Sequence, residues 1–337
     1  MPRSSTHFVS RRTPALLMAS ALVVALVACD PPIDPRLGVT TAPVTSKVTV
    51  SQDTFEGHTT YTYVPAHPVG LVYLFHGSGG SADFALKVDT VDVLNTLTAR
   101  GYAFVSTDST ERTGAKQWDV NHATTAANAD LPRLERLQQS LVTTTAVDAS
   151  TPLFGVGMSN GSAFVSIWAE ALRTDGYPVR AVAKYMSGVP AVVKANGGVT
   201  VPTEMVVAVN DTTTNPVKEK NDLIEIQASG VDGRLDQVNE RAVISPRYLR
   251  IPGIGQTTAD AIITAIQNAG IIDPAGHRLV PVADLQADLI AVTLPASVPA
   301  GLRNDVGNQT FPMLAMHQFT AEFKTQTADW FDTHLTG

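Results

Sequence analysis

The residues best placed for covalent chemistry lie in Leu153-Phe154-Gly155-Val156-Gly157-Met158-Ser159-Asn160-Gly161-Ser162, where an apolar, strand-like run enters G-x-S-x-G and continues as a helical pattern. A serine is a weak nucleophile until its hydroxyl is held clear of the backbone and beside a base. Gly157 and Gly161, two residues either side of Ser159, leave room for a turn sharp enough to lift that hydroxyl above a sheet. The same turn aims the Asn160 amide at a substrate oxygen, at the positive end of the following helix. The motif therefore predicts a nucleophilic serine, one oxyanion donor and a sheet that carries both.

A second loop offers the partner donor. At Gly70-Leu71-Val72-Tyr73-Leu74-Phe75-His76-Gly77-Ser78-Gly79-Gly80 an apolar run ends in glycines, which let main-chain amides approach a reacting carbonyl closely. The Ser78 amide is the expected donor, with Gly79 as the alternative, and His76 is expected to brace the loop. No Gly-Lys-Ser/Thr follows, so the loop lacks the pattern that cradles phosphates.

Short β-rich runs alternate with longer helical ones, which predicts an α/β sheet. Strands are expected over 47–51, 59–64, 70–75, 103–107, 151–156, 179–185 and 204–209, and helices over 82–100, 127–144, 162–173 and 325–335. The first two strands alternate in polarity, as antiparallel edge strands do. The later ones are continuous apolar runs, as in a parallel sheet buried on both faces.

With the HG loop and the serine turn in this order, the chain resembles an α/β-hydrolase. Within that superfamily it is most similar to the polyhydroxybutyrate depolymerase and feruloyl esterase-like group, which combines such a loop with a Gly-Met-Ser-Asn-Gly turn. The resemblance covers about 46–220 and the last thirty residues. It implies a mostly parallel sheet flanked by helices, a serine esterase activity on a small or polymeric ester, and no cofactor. It also implies the order nucleophile, acid, histidine, each following a strand. Asp211, after the apolar run ending at Val209, is the expected acid; Asp222, Asp232 and Asp236 are rivals in polar stretches with no strand expected before them. His317, after Phe311-Pro312-Met313-Leu314-Ala315-Met316, is the expected base, whereas His334 falls inside the last helix. Met158 is expected in the substrate pocket; Trp118 reads equally as a pocket wall or as a core residue. No His, Asp or Glu spacing suggests a metal site.

The family pattern is departed from between Asp211 and His317, where about a hundred residues replace one helix and one strand. Apolar spacing over 258–269 and 282–292 predicts helices, so an insertion over about 221–308 is expected to form a helical lid. The eighth strand has two candidates, 247–251 and 311–316. Inside the insertion, Tyr248-Leu249-Arg250-Ile251-Pro252-Gly253-Ile254-Gly255 resembles a helix-hairpin-helix element of DNA-binding proteins, but it lacks the lysines a phosphate reader wants.

Arg3, Arg11 and Arg12 precede an apolar run over 15–28 that ends in Leu26-Val27-Ala28-Cys29, a bacterial lipobox-like sequence whose cysteine is the only one in the chain. The expectation is an export signal over 1–29, lipidation at Cys29, a membrane anchor facing the periplasm or the cell exterior, and a Pro-rich tether over 30–45. A single cysteine excludes an intrachain disulfide. Removing the three arginines from 24 basic residues leaves 21 against 31 acidic ones, a net −10, which disfavours nucleic acid as a partner. The alternative to an enzyme is a surface lipoprotein that uses the fold as a binding module.

Overall fold

A computed structural model describes residues 38–336. The expected signal segment, Cys29 and the first part of the tether lie outside the described residues. Strands form at β1 (Ser51–Phe55), β2 (His58–Tyr63), β3 (Leu71–Phe75), β4 (Ala103–Thr107), β5 (Leu153–Met158), β6 (Val179–Tyr185), β7 (Thr203–Ala208) and β8 (Gly233–Val238). They pair as one sheet in the order β1-β2-β4-β3-β5-β6-β7-β8; β1 and β2 run antiparallel to their neighbours and the rest are parallel. A mostly parallel sheet flanked by helices is the fold class expected from the sequence. Helices are α1 (Val88–Ala99), α2 (Leu131–Thr144), α3 (Asn160–Thr174), α4 (Ala191–Ala195), α5 (Pro216–Ala228), α6 (Gln256–Asn268), α7 (Val282–Ala291), α8 (Arg303–Met313) and α9 (Lys324–Thr333).

The pleat explains the continuous apolar strands. In β3, Leu71, Tyr73 and Phe75 join the core under α2 and α3, while Val72 and Leu74 join the core under α1 and α9. Both faces are covered, so both sets of alternate residues must be apolar. Chain order reverses at β3, which has β4 on one side and β5 on the other. The carboxyl ends of strands beside such a reversal form the crevice where ligands bind in open α/β sheets.

Four expectations need correction. The first strand lies at Ser51–Phe55 rather than 47–51; every residue but Phe55 is exposed, and its place is set by a two-residue turn with φ of 50° at Glu56 and 81° at Gly57. The eighth strand is neither candidate. It is Gly233–Val238, an edge strand in which only Val238 is buried, so hydrophobicity does not mark it. Residues 247–250 belong instead to a 3₁₀ helix, Ser245–Arg250, and 311–313 to the end of α8. The inserted helices accordingly start after Val238, because α5 and β8 complete the main sheet. Finally, 38–45 is not a free tether: Val39 and Val44 are buried, and the Arg250 guanidinium donates to the Thr40 carbonyl at 3.2 Å.

The insertion is welded to the domain as much as laid over it. Arg247 and Arg250, both fully buried, reach Asp89 on α1 at 3.3 and 2.7 Å, and Arg250 also reaches Asp92 at 3.1 Å. Arg250 is the arginine of the hairpin that resembles a DNA-binding element, and it and Arg247 just before the hairpin both face inward onto carboxylates. Apolar residues of α6 and α8, among them Ile262, Ile266, Val306 and Met313, join the same core as α1 and α9.

Candidate active site

Ser159 sits between β5 and α3 with φ 55° and ψ −120°, a conformation that costs a non-glycine residue about 1–3 kcal/mol. Its surroundings account for the flanking glycines. A Cβ on Gly157 would overlap the Gly161 carbonyl, and one on Gly161 would overlap the Phe75 and His76 carbonyls at the end of β3. The turn is thus packed directly against the second glycine loop, where a Cβ on Gly77 would stand 3.3 Å from that of Ser159.

Three side chains from three separate elements converge here. His317 Nε2 lies 2.8 Å from Ser159 Oγ, and His317 Nδ1 lies 2.6 Å from Asp211 Oδ2. Asp211 follows β7 in a local turn: its Oδ1 accepts from the Thr213 and Thr214 amides at 2.8 and 3.0 Å, and its Oδ2 from the Thr214 hydroxyl at 2.7 Å. Burial works against the Asp211 carboxylate, but the bond and charge of His317 and the Thr214 donors outweigh it, so its pKa lies below the usual range. His317 does not follow a strand, contrary to the expected pattern. It follows the end of α8, in a turn where Ala315 has φ 53°, tied to the strand ends by Asn210 N–H to the Ala315 carbonyl at 2.9 Å and Arg241 N–H to the Met313 carbonyl at 2.7 Å. The rivals fall elsewhere: Asp222 takes Lys194 and Lys218 at 2.6 and 2.8 Å, Asp236 takes Arg234 at 2.9 Å, and Asp232 takes His334 at 3.2 Å.

The two loop amides are distinguished by their partners. Among the described residues, the main-chain amides of Ser78 and Asn160 have no protein acceptor, as is usual for the first turn of a helix in the case of Asn160. Gly79, the alternative donor, is corrected: its N–H is spent on the Ala115 carbonyl at 2.8 Å, and its φ of 74° is what calls for glycine. His76 Nε2 accepts the Ser109 amide at 3.1 Å, which leaves Nδ1 to donate to the Gly77 carbonyl at 2.8 Å. Burial pushes its pKa down to about 4, so the ring is a neutral brace for the loop.

Trp118 is core rather than pocket wall. It is 2 % exposed, stacks on Phe164 at 4.9 Å between centroids, and donates from Nε1 to the His76 carbonyl at 3.0 Å. Its main chain is held by the Asn160 side chain, which accepts the Trp118 amide at 2.7 Å. Asn160 therefore fixes the loop through its side chain and leaves its own amide free, a duty that the motif alone does not reveal.

The cleft above Ser159 has a volume of about 650 Å³ and is bounded by the glycine loop, Met158, Thr213, His317 and side chains of the insertion. Gln286 from α7 and Asn304, Asn308 and Gln309 from α8 form that last wall. These amides had no sequence signal, because their helices are placed by packing partners far away in the chain. Among the described residues, no group of three or more His, Cys, Asp or Glu side chains could hold a metal ion.

No protein family model and no curated protein matches the chain. Solved structures resemble parts of it. An acetyl xylan esterase from Aspergillus awamori is 14% identical with a TM-score of 0.43, covering 55% of this chain and 81% of its own. A hyperthermophilic esterase from the archaeon Pyrobaculum calidifontis is 15% identical with a TM-score of 0.44, covering 68% and 86%. Est1E from Butyrivibrio proteoclasticus, solved with ferulic acid bound, is 14% identical with a TM-score of 0.40, covering 56% and 89%. Likeness at this level leaves the chemistry of the site to be read from its own residues.

Proposed function

We propose that this protein is a serine carboxylic ester hydrolase working through an acyl-enzyme. The observation that carries the reading is the continuous line from Ser159 Oγ through His317 to Asp211, at 2.8 and 2.6 Å, with two loop amides that have no acceptor among the described residues. His317 Nδ1 donates to Asp211, so Nε2 is the lone-pair nitrogen and takes the Ser159 proton as Oγ attacks the ester carbonyl. The oxyanion accepts from the Ser78 and Asn160 amides at the positive end of α3. His317 then protonates the leaving alcohol, and water repeats the sequence on the acyl-enzyme. Thr213 and Thr214 hold the Asp211 carboxylate so that its Oδ2 stays on the imidazole.

We extend this reading to an exported, lipid-anchored enzyme, supported by the basic N-terminus, the apolar run and Cys29, acting outside the cytoplasm on a polyester such as polyhydroxyalkanoate or on a feruloyl-type ester. A fluorophosphonate probe tests the core of the proposal. Labelling of the parent that is lost in Ser159→Ala supports an activated serine, and no labelling of the folded parent favours a binding module. Release of soluble products from a polyester film, set beside hydrolysis of methyl ferulate, separates the two substrate classes.

A further inference from the structure

The inserted helices enclose a second cavity. It lies between α6, α7 and α8, has a volume of about 350 Å³, and takes its apolar walls from residues such as Ile266, Leu289, Leu294, Val306 and Phe311, with Arg303 also in the lining. Size and lining both suit a small-molecule site, which is mostly hydrocarbon with a few polar groups. Gln286, Asn304 and Asn308 line this cavity and the catalytic cleft alike, so these three side chains stand between the two spaces. The wall on α7 is also incompletely used by the fold: that helix buries only Leu285, and Ile290 remains 71 % exposed. Apolar surface left in water is unfavourable in proportion to its area, and a hydrocarbon ligand would recover that loss.

We propose that this cavity receives the hydrocarbon arm of the ester substrate, with the scissile carbonyl at Ser159 and the chain passing between Gln286, Asn304 and Asn308. The inference rests on the esterase reading and narrows its substrate class to esters with an unbranched apolar chain that reaches beyond the cleft, which a feruloyl group does not supply. At about 30 Å³ per non-hydrogen atom, the space holds on the order of ten carbons. Each methylene moved from water into it favours turnover of the longer ester by about fourfold.

Gly307 provides a test. It lies in the cavity wall on α8, and a Cβ there meets nothing closer than Phe311 at 3.9 Å, so a larger side chain can occupy the cavity without displacing backbone. In Gly307→Leu, the ratio of kcat/KM for p-nitrophenyl octanoate to that for p-nitrophenyl acetate should fall about ten- to hundredfold relative to the parent. The thermal midpoint should hold or rise, since leucine is the better residue inside a helix. Leu289→Asn keeps the size of the wall while making it polar, and should move the same ratio downward severalfold. A parent that hydrolyses acetate with a flat chain-length profile, or folded variants that leave the ratio unchanged, would overturn the proposal alone. A parent inactive on both esters would overturn the esterase reading and this proposal with it.

Discussion

Replacing Asp211 with asparagine should cost about four orders of magnitude in kcat while leaving the protein folded. The reason lies in the two sides of the carboxylate. Oδ1 accepts two main-chain N–H groups, from Thr213 and Thr214, and cannot be exchanged for an amide NH2 without setting donors against donors. The asparagine oxygen must therefore stay on that side, and its NH2 must take the place of Oδ2, 2.6 Å from His317 Nδ1. An NH2 there calls for an acceptor, so the imidazole shifts to the tautomer with its proton on Nε2. That nitrogen, 2.8 Å from Ser159 Oγ, then donates to the nucleophile instead of taking its proton. A factor of 10⁴ corresponds to about 5.5 kcal/mol of barrier. The assay is initial rate on p-nitrophenyl acetate at saturating ester, with thermal denaturation of the same preparation to show that the fold survives. A loss below about tenfold would refute the tautomer argument; together with a severe loss on replacing Asp236, it would move the acid to β8.

Ser159→Ala should abolish turnover, by roughly 10⁶ in kcat, whereas Ser159→Gly should be equally inactive and more stable by about 1 kcal/mol, since glycine accepts φ 55° without strain; equilibrium unfolding reads the difference. Lys184 on β6 is fully buried with its ammonium on the Ser162 carbonyl and the Ser166 hydroxyl, and burial, opposed by Asp222 and Glu219, brings its pKa down to about 7. Between about pH 7 and 10.4 the unfolded chain holds a proton that the folded chain has lost, so this residue makes stability rise with pH by up to about 1.4 kcal/mol per unit. Lys184→Met should flatten that slope in denaturant titrations run across the window. Arg250→Ala should destabilise by about 2–3 kcal/mol, because it removes one of two cations from each of the buried Asp89 and Asp92 and leaves Arg247 on the first and Lys324 on the second; an unfolding midpoint close to that of the parent would contradict this role.

What could be read directly from the chain was what local sequence dictates. The serine turn is such a case: Gly157 and Gly161 are required by contacts within the strand, turn and helix themselves, plus one approach to β3. Asp211 is another, since Asp-Thr-Thr-Thr after an apolar strand builds its own carboxylate-holding turn. The β8 strand was hidden for the opposite reason. An edge strand buries little, and Gly233-Arg234-Leu235-Asp236-Gln237-Val238 is polar because solvent lies beside it. Within the strand candidate 247–251, residues 247–250 form the end of a 3₁₀ helix, where two arginines meet carboxylates on α1, more than 150 residues away in the chain. No local pattern announces such a partner. Trp118 escaped for a related reason: the sequence places an aromatic after a strand, but only the packed Phe75 and Phe164 decide that it turns inward.

The same contrast between anchored and unanchored parts bears on how substrate enters. The 3₁₀ helix Ser245–Arg250 and α6 are held by buried arginines and by Ala259, Ile262 and Ile266 in the core, so this part of the insertion should not open without partial unfolding. Helix α7 differs in having one buried residue, Leu285, and it is this helix that brings Gln286 to both cavities. Segments with few buried apolar contacts open locally at low free energy. Amides over 286–291 should therefore exchange with solvent at least a hundredfold faster than those over 262–267, a gap of roughly 2.7 kcal/mol or more in opening free energy. Occupation of the second cavity by a hydrocarbon chain would close that gap from the α7 side only, since α6 is already held. Equal protection of the two helices in the free protein would mean that α7 is fixed by contacts other than Leu285, and that substrate must enter past the glycine loop instead.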